Sequence, residues 1–253
     1  MLHGSQSHYL FDVSREMDKL RHAKIVPGVD SREQPLYTLK EAAYYLGVKP
    51  ATLTTWFYGR HYPTADDPRK PWERVFIPAD ETEQLLSFNN LAEAHVLAAT
   101  RYEHEVPFKS VREAIKNIAS SDPRWAKHPL LSNDFLTNGY LLFVKDLYGL
   151  KNITTEQLSL QEVMKEFVVR VIRDDRGPFK IFPLAKKEPK DRVISIRAGI
   201  CGSRPVLDGT RIPVHAILRR IDAGEDIDFI AEDFDIKPEL VERVRIYGER
   251  RAA

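Results

Sequence analysis

Cysteine is almost absent from this chain: Cys201 stands alone among 253 residues. That excludes an internal disulfide framework and fits a reducing compartment. Long apolar runs are missing too, and nothing approaches the ~20 consecutive apolar residues that span a bilayer. The opening residues 1–10 are polar and lack the apolar core of a secretion signal, so a cytoplasmic location with no membrane partner is expected. Neither sign of charge dominates, since 38 basic and 37 acidic residues leave a formal net charge of +1. A surface for nucleic acid therefore has to arise from local segregation of charge.

The residue patterns of common catalytic centres are also lacking. The histidines (3, 8, 22, 61, 95, 104, 128 and 215) show no His-x-x-x-His spacing, and no Cys-x-x-Cys pair exists. No metal site or cofactor is expected on that basis. His95 and His104, with Glu103 and Glu105, read as a solvated helix end rather than a metal cluster. There is no phosphate-binding glycine loop and no nucleophile elbow. The acid pairs Asp66-Asp67 and Asp174-Asp175 sit among turn-forming residues, where aspartate bonds to local backbone. The expectation is a protein that binds and is not an enzyme.

What is present is ordinary globular material, 43% hydrophobic and 30% charged, enough for two or three modest domains. Residues 1–36 form an N-terminal extension, in which Leu10, Val13, Met17 and Leu20 recur at helical spacing. A helix-turn-helix module with a following helical pair is expected over 37–120, with helices near 91–102 and 106–118. The middle segment, 121–190, reads as α/β, with a helix over 158–172 and an extended stretch at 179–184. A turn at Asp174-Asp175-Arg176-Gly177 separates the two. The stretch Lys186-Lys187-Glu188-Pro189-Lys190 has linker composition, and a last unit occupies 191–253.

In the first module Thr38 is a natural N-cap, and Glu41 three residues later completes a capping box. Leu39, Ala42, Ala43 and Leu46 share one face, and Gly47 stands where helices end in the left-handed conformation. Pro50 then opens a second short helix, in which Trp56 beside Leu53 belongs to the core. Residues 72–78 look like a strand that would serve as a wing. This pattern (the cap, Ala42-Ala43, Leu46-Gly47-Val48, Thr52-Leu53 and Trp56) resembles the winged helix-turn-helix of MerR-type regulators. The resemblance implies contact with operator DNA through Lys49, Thr52, Thr54, Thr55, Tyr58 and Arg60. Arg60, His61, Arg69, Lys70 and Arg74 around the wing would supply most of the phosphate contacts. Thr54 and Thr55 stand where that family usually carries basic residues.

The most distinctive stretch is Cys201-Gly202-Ser203-Arg204-Pro205-Val206-Leu207-Asp208-Gly209-Thr210-Arg211-Ile212-Pro213-Val214. Two apolar pairs flank an Asp-Gly turn, which predicts a β-hairpin. A helix over 215–223 follows, then one from Ile227 capped by Asp226, and a third opened by Pro238. The pattern G-x-P followed by G-T-R-I-P-V and helices resembles the domain-of-unknown-function family 433, with Ser203 where a second glycine is common. The order of the modules resembles VapB-type antitoxins, which bind and silence a PIN-type ribonuclease toxin and repress their own operon. The fold class expected is mainly α with small β elements: a winged helix-turn-helix followed by a C-terminal hairpin and three helices.

Charge gives a separate argument about which module does what. From Arg204 to Arg220 four arginines face Asp208 alone, whereas from Asp222 to Glu239 eight acidic residues face Lys237 alone. So acidic a helix pair is repelled by phosphate and suits a protein partner better. By the resemblance, that partner is a cognate PIN-type ribonuclease, whose metal-holding carboxylates a guanidinium could engage. The candidates are Arg204, Arg211, Arg219, Arg220, Arg250 and Arg251. Arg211 could instead brace its own turn by bonding backbone carbonyls or Asp208. A homodimer is expected, because repressors usually match two-fold operators. The competing reading is a MerR-like, ligand-responsive regulator with no toxin partner.

Overall fold

The computed structural model describes residues 25–62, 70–99, 108–121, 126–132, 135, 141, 143–144, 155–183 and 192–252. At 61–62, 70–72, 108, 121, 155–157 and 250–252 it describes the backbone alone. The helix expected around Leu10 to Leu20, the acid pair at 66–67, Arg69 and His104 lie outside these residues.

The class is the expected one, helices with small sheets. Strand β1 (Tyr37–Thr38) runs directly into α1 (Leu39–Leu46). The reciprocal capping box is formed: the Glu41 N–H donates to Thr38 Oγ1 at 3.2 Å, and the Thr38 N–H donates to Glu41 Oε2 at 3.2 Å. Gly47 ends α1 with φ 65°. Pro50 is the first residue of α2 (Pro50–Tyr58), whose Leu53, Trp56 and Phe57 are buried. Strands β2 (Arg60–Tyr62) and β3 (Lys70–Trp72) pair antiparallel, Arg60 opposite Trp72 and Tyr62 opposite Lys70. The wing strand thus ends where a strand over 72–78 was expected to begin. Residues 75–76 fold back instead: the N–H groups of Val75 and Phe76 donate to the Trp56 carbonyl at 2.7 and 3.0 Å. Phe76 packs on Phe57, their ring centroids 5.4 Å apart.

Strand β4 (Leu85–Leu86) pairs with β1. Helix α3 (Phe88–Ala98) starts three residues before the expected Leu91, because Ser87 and Asn90 make a second capping box. Leu91 through Leu97 are each no more than 1% exposed, so α3 is the central helix of the first core. His95 belongs to that core and not to a solvated helix end. Its Nε2 lies 3.2 Å from the Phe167 carbonyl, and its ring stacks on Phe167 at 4.9 Å. Helix α4 (Phe108–Ser121) turns Val111, Ala114 and Ile115 inward, and α5 (Thr155–Val168) turns Leu160, Met164, Phe167 and Val168 inward. α5 stops short of the expected Ile172. Val168, Val169, Val171 and Ile172 are β-branched, and the chain leaves the helix after Val168 and enters strand β5 (Val171–Asp174).

β5, β6 (Gly177–Ile181), β7 (Ile194–Arg197) and β8 (Pro205–Leu207) form one antiparallel sheet in that order. The sheet joins strands on both sides of residue 190, and both cores use it. Ile181 and Ile196 belong to the first core, Ile194 and Leu207 to the second. The hairpin expected across Asp208-Gly209 shrinks to one bridge, Val206 to Pro213, since Pro213 has no N–H to extend a ladder. β8 pairs with β7 along its other edge. Helices α6 (Val214–Asp222), α7 (Ile227–Asp233, capped by Asp226) and α8 (Pro238–Ala252) close the second core around Ile217, Ile230, Val241 and Val244. Among the described residues, no helix is long and apolar enough to cross a membrane.

A buried charge cluster fastens the segment before β1 to α3. His128 Nδ1 lies 2.8 Å from the Glu93 carboxylate, and Nε2 lies 2.9 Å from Glu33. Lys127 and Asn89 also bond to Glu33. Burial opposes charging of His128, but Glu93 and Glu33 outweigh it and raise its pKa to about 9. Burial likewise resists ionisation of Glu33, yet His128, Lys127 and Asn89 together lower it to about 2. Burial lifts Glu93 above its ordinary value. The folded state therefore favours protonated His128. That contribution is complete below pH ~6.5 and is lost as pH rises through ~9. The fall in urea-unfolding free energy between those limits is expected to be on the order of 1–3 kcal/mol. His128→Gln is expected to lower stability at pH 6 and to flatten this decline.

Candidate functional site

Two surfaces carry the residues singled out by sequence: the helix-turn-helix with its wing, and the loop and helix around residues 201–220. In the first, α2 buries Leu53, Trp56 and Phe57 and turns Ala51, Thr54, Thr55 and Tyr58 outward at i, i+3, i+4 and i+7. Thr54 Oγ1 donates to the Pro50 carbonyl at 3.1 Å, and Thr55 Oγ1 to the Ala51 carbonyl at 2.9 Å. Thr52 is half-buried. Lys49 is exposed at the N-cap and makes no capping bond.

Arg60, exposed at the start of β2, stands at the other end of the helix. The backbones of His61 and Lys70 lie in the β2–β3 ribbon, with their side chains outside the described atoms. Arg74 pairs with Glu81 at 2.7 Å. Tyr58 is half-buried: burial, then Asp80 and Glu81, push its hydroxyl up to about 12. Acidic side chains thus edge the wing and offset part of its positive charge.

The second surface begins with a tight turn. Cys201, Gly202 and Ser203 all have positive φ, at 49°, 63° and 57°. Ser203 holds this left-handed conformation, unusual for a residue other than glycine, because its hydroxyl accepts the Gly199 N–H at 2.9 Å. The turn is then locked to the first module. The buried Tyr37 hydroxyl donates to the Ser203 carbonyl at 2.5 Å. Arg204 Nη2 lies 3.7 Å from Glu41 Oε1, and Glu41 is 2% exposed. The other oxygen of the same carboxylate closes the α1 capping box. Neither this seam nor the His128 cluster was foreseen, because long-range partners carry no local spacing signal.

The structure separates the candidate arginines. Arg204 faces Glu41 inside the protein. Arg220 bonds Glu225 at 2.5 Å and Asp233 at 2.8 Å, and lies over the rings of Phe229 and Phe234 at 5.6 Å. Arg211 and Arg219 are exposed and make no side-chain hydrogen bond or ion pair with a described residue. Arg211 does not brace its turn through Asp208, which is held by Ser195 at 2.8 Å and Lys180 at 2.6 Å. The turn is closed by Thr210, whose hydroxyl donates to the Leu207 carbonyl and accepts the Ile212 N–H. His215 lies near Arg204 and Arg219; burial first, then those charges, lower its pKa. Arg250 and Arg251 lie in α8 by their backbone, with side chains outside the described atoms. Among the described residues no group of three His, Cys, Asp or Glu is placed to hold a metal ion.

Comparison with known proteins adds to these two surfaces. Residues 35–115 match the family described as "Putative DNA-binding HTH domain". Residues 194–247 match the family described as "Protein of unknown function (DUF433)". The chain is 27% identical over 225 residues to the Mycobacterium tuberculosis protein named "Putative antitoxin VapB45", covering 81% of this chain and 90% of that relative. The crystal structure of Rv2018 from Mycobacterium tuberculosis has the same fold, with a TM-score of 0.61 at 23% identity over 83% of this chain and 97% of that one.

The burial of Glu41 sets an expectation for the arginines. Arg204→Ala removes the cation facing a buried carboxylate and is expected to lower stability by about 1–3 kcal/mol in urea unfolding. Arg211→Ala and Arg219→Ala, both at exposed sites, are expected to change it by less than about 0.5 kcal/mol.

Proposed function

We propose that this chain is the antitoxin of a type II toxin–antitoxin pair. In this reading it binds and neutralises a PIN-type ribonuclease and represses its own operon through the N-terminal helix-turn-helix. One observation carries the proposal: a helix-turn-helix match and a DUF433 match in one chain, in the same order as the motifs, alongside similarity over most of its length to a protein named as an antitoxin. The structure supports a division of labour between the two. α2 is a short exposed helix with a two-stranded wing at its side, the proportions that enter a major groove. The C-terminal helices carry the acidic stretch from Asp222 to Glu239, which phosphate would repel.

Among the candidate arginines, Arg211 and Arg219 are assigned to the partner in this reading, because they are exposed while Arg204 and Arg220 already face carboxylates of this chain. A PIN-type active site gathers carboxylates around metal, and a guanidinium that enters it meets them in bidentate geometry. DNA contact rests on Lys49, Thr52, Thr54, Thr55, Tyr58 and Arg60, with His61, Arg69, Lys70 and Arg74 around the wing. The chain acts as a homodimer on a two-fold operator, in the cytoplasm.

The partner half is tested by co-expression with the adjacent small open reading frame. The neighbour is expected to arrest growth alone, and to co-purify with this chain and lose toxicity when both are made. The double substitution Arg211→Glu with Arg219→Glu is expected to restore growth arrest while DNA binding persists. A harmless neighbour that does not bind overturns the antitoxin reading.

The DNA half is read by filter binding across a salt series. Arg60→Ala is expected to weaken operator binding and reduce the salt slope by about one. Glu81→Gln releases Arg74 and removes a wing carboxylate, so binding is expected to tighten about two- to fivefold with a steeper salt slope.

A further inference from the structure

The outward stripe of α2 has an unusual chemistry for a helix that reads DNA. The helix contains no Arg, Lys, Asn or Gln at all (Pro50-Ala-Thr-Leu-Thr-Thr-Trp-Phe-Tyr58), and so lacks the side chains that make two-point hydrogen bonds to guanine or adenine. Lys49 and Arg60 flank its ends, where they suit phosphate. The remaining outward groups are the exposed Ala51 methyl and Thr54 side chain, with the half-buried Thr55 and part of Tyr58.

The two threonines are constrained further by their own hydrogen bonds. A hydroxyl has one hydrogen to donate and two lone pairs to accept with. Both hydrogens are directed into the helix, to Pro50 O at 3.1 Å and Ala51 O at 2.9 Å. What each threonine offers outward is acceptor lone pairs and a γ-methyl.

Resting on the proposed DNA-binding role, we infer that this stripe reads A·T base pairs, with the Thr54 and Thr55 methyls and Ala51 packed on thymine 5-methyls and the threonine oxygens accepting from adenine N6. The major-groove edges decide between the pairs. A·T presents a donor, adenine N6–H, and on the thymine side a methyl group. G·C presents a donor at cytosine N4 but no methyl, and guanine O6 and N7 are acceptors. Adenine N7 and thymine O4 are acceptors as well, and none of these acceptors gains from threonine oxygens whose hydrogens point away. The thymine methyl decides, so an A·T pair satisfies both features of the stripe and a G·C pair only one.

The test uses the full-length chain. A bound site is first selected from a randomised duplex library at physiological salt. Affinity is then measured by fluorescence anisotropy on the selected duplex and on versions with one thymine at a time replaced by uracil, which removes only the 5-methyl. The selected core is expected to be A·T. Uracil at a contacted position is expected to weaken binding about fourfold, the factor for one buried methylene.

Thr54→Ser keeps the hydroxyl and loses the methyl, so at one position the uracil penalty is expected to disappear in that variant. Circular dichroism would confirm that the variant, altered at an exposed position, keeps its helices. A G·C core, or uracil substitutions without effect, overturns this inference and leaves the DNA-binding role standing. Failure to bind any duplex at low salt overturns both.

Discussion

One strand belongs to two hydrophobic cores, and the rest of the architecture is arranged around that constraint. Ile196 of β7 packs into the core built on α3, and Ile194, two residues earlier, packs into the core closed by α6, α7 and α8. β7 takes β6 on one edge and β8 on the other, so its backbone is paired on both sides. The sheet is further tied by Asp208, which receives Lys180 from β6 and Ser195 from β7. A change of register in β7 would move Ile194 and Ile196 out of both cores together.

On this shared strand the two modules meet through a polar seam rather than a flexible tether. Glu41 serves both sides: one carboxylate oxygen caps the first helix of the helix-turn-helix, and the other faces Arg204 of the C-terminal loop. Tyr37 adds a buried hydroxyl bond to the Ser203 carbonyl. The helix proposed to read DNA and the proposed partner surface are therefore linked by buried polar contacts. Arg204 and Arg220 act as internal fasteners, which leaves Arg211 and Arg219 as the outward-facing members of the basic cluster.

Legibility from sequence followed the range of the interaction. Features decided within four residues were plain to read: the Thr38–Glu41 box, Gly47, Pro50, the Asp226 cap, the turn before Gly177, and the buried Trp56. Those decided by distant partners were not. The helix expected across 158–172 forms but ends at Val168, because Val171 and Ile172 pair with β6, and strand neighbours leave no helical trace. The hairpin at 206–214 closes with a single bridge, because Pro213 has no N–H to extend the ladder, and β8 takes β7 on its other edge. His95 reads as polar and belongs to the core, because Phe167, 72 residues away, supplies both a carbonyl and a ring. At the candidate sites, residue types were legible. Which arginines are already engaged was not, since Glu41, Glu225 and Asp233 had to be placed in space first.

The bond between Tyr37 and Ser203 spans 166 residues of chain, and that between Arg32 and Asp174 spans 142. A ribosome adding about 5–20 residues per second needs roughly 8–30 s to make the stretch between Tyr37 and Ser203. Throughout that interval the helix-turn-helix exists without its seat, with Tyr37 and Glu41 still waiting for their partners. Order of synthesis therefore places the helix-turn-helix module first and its orientation last. A nascent chain halted before residue 203 carries the helix-turn-helix but not the contacts that orient it.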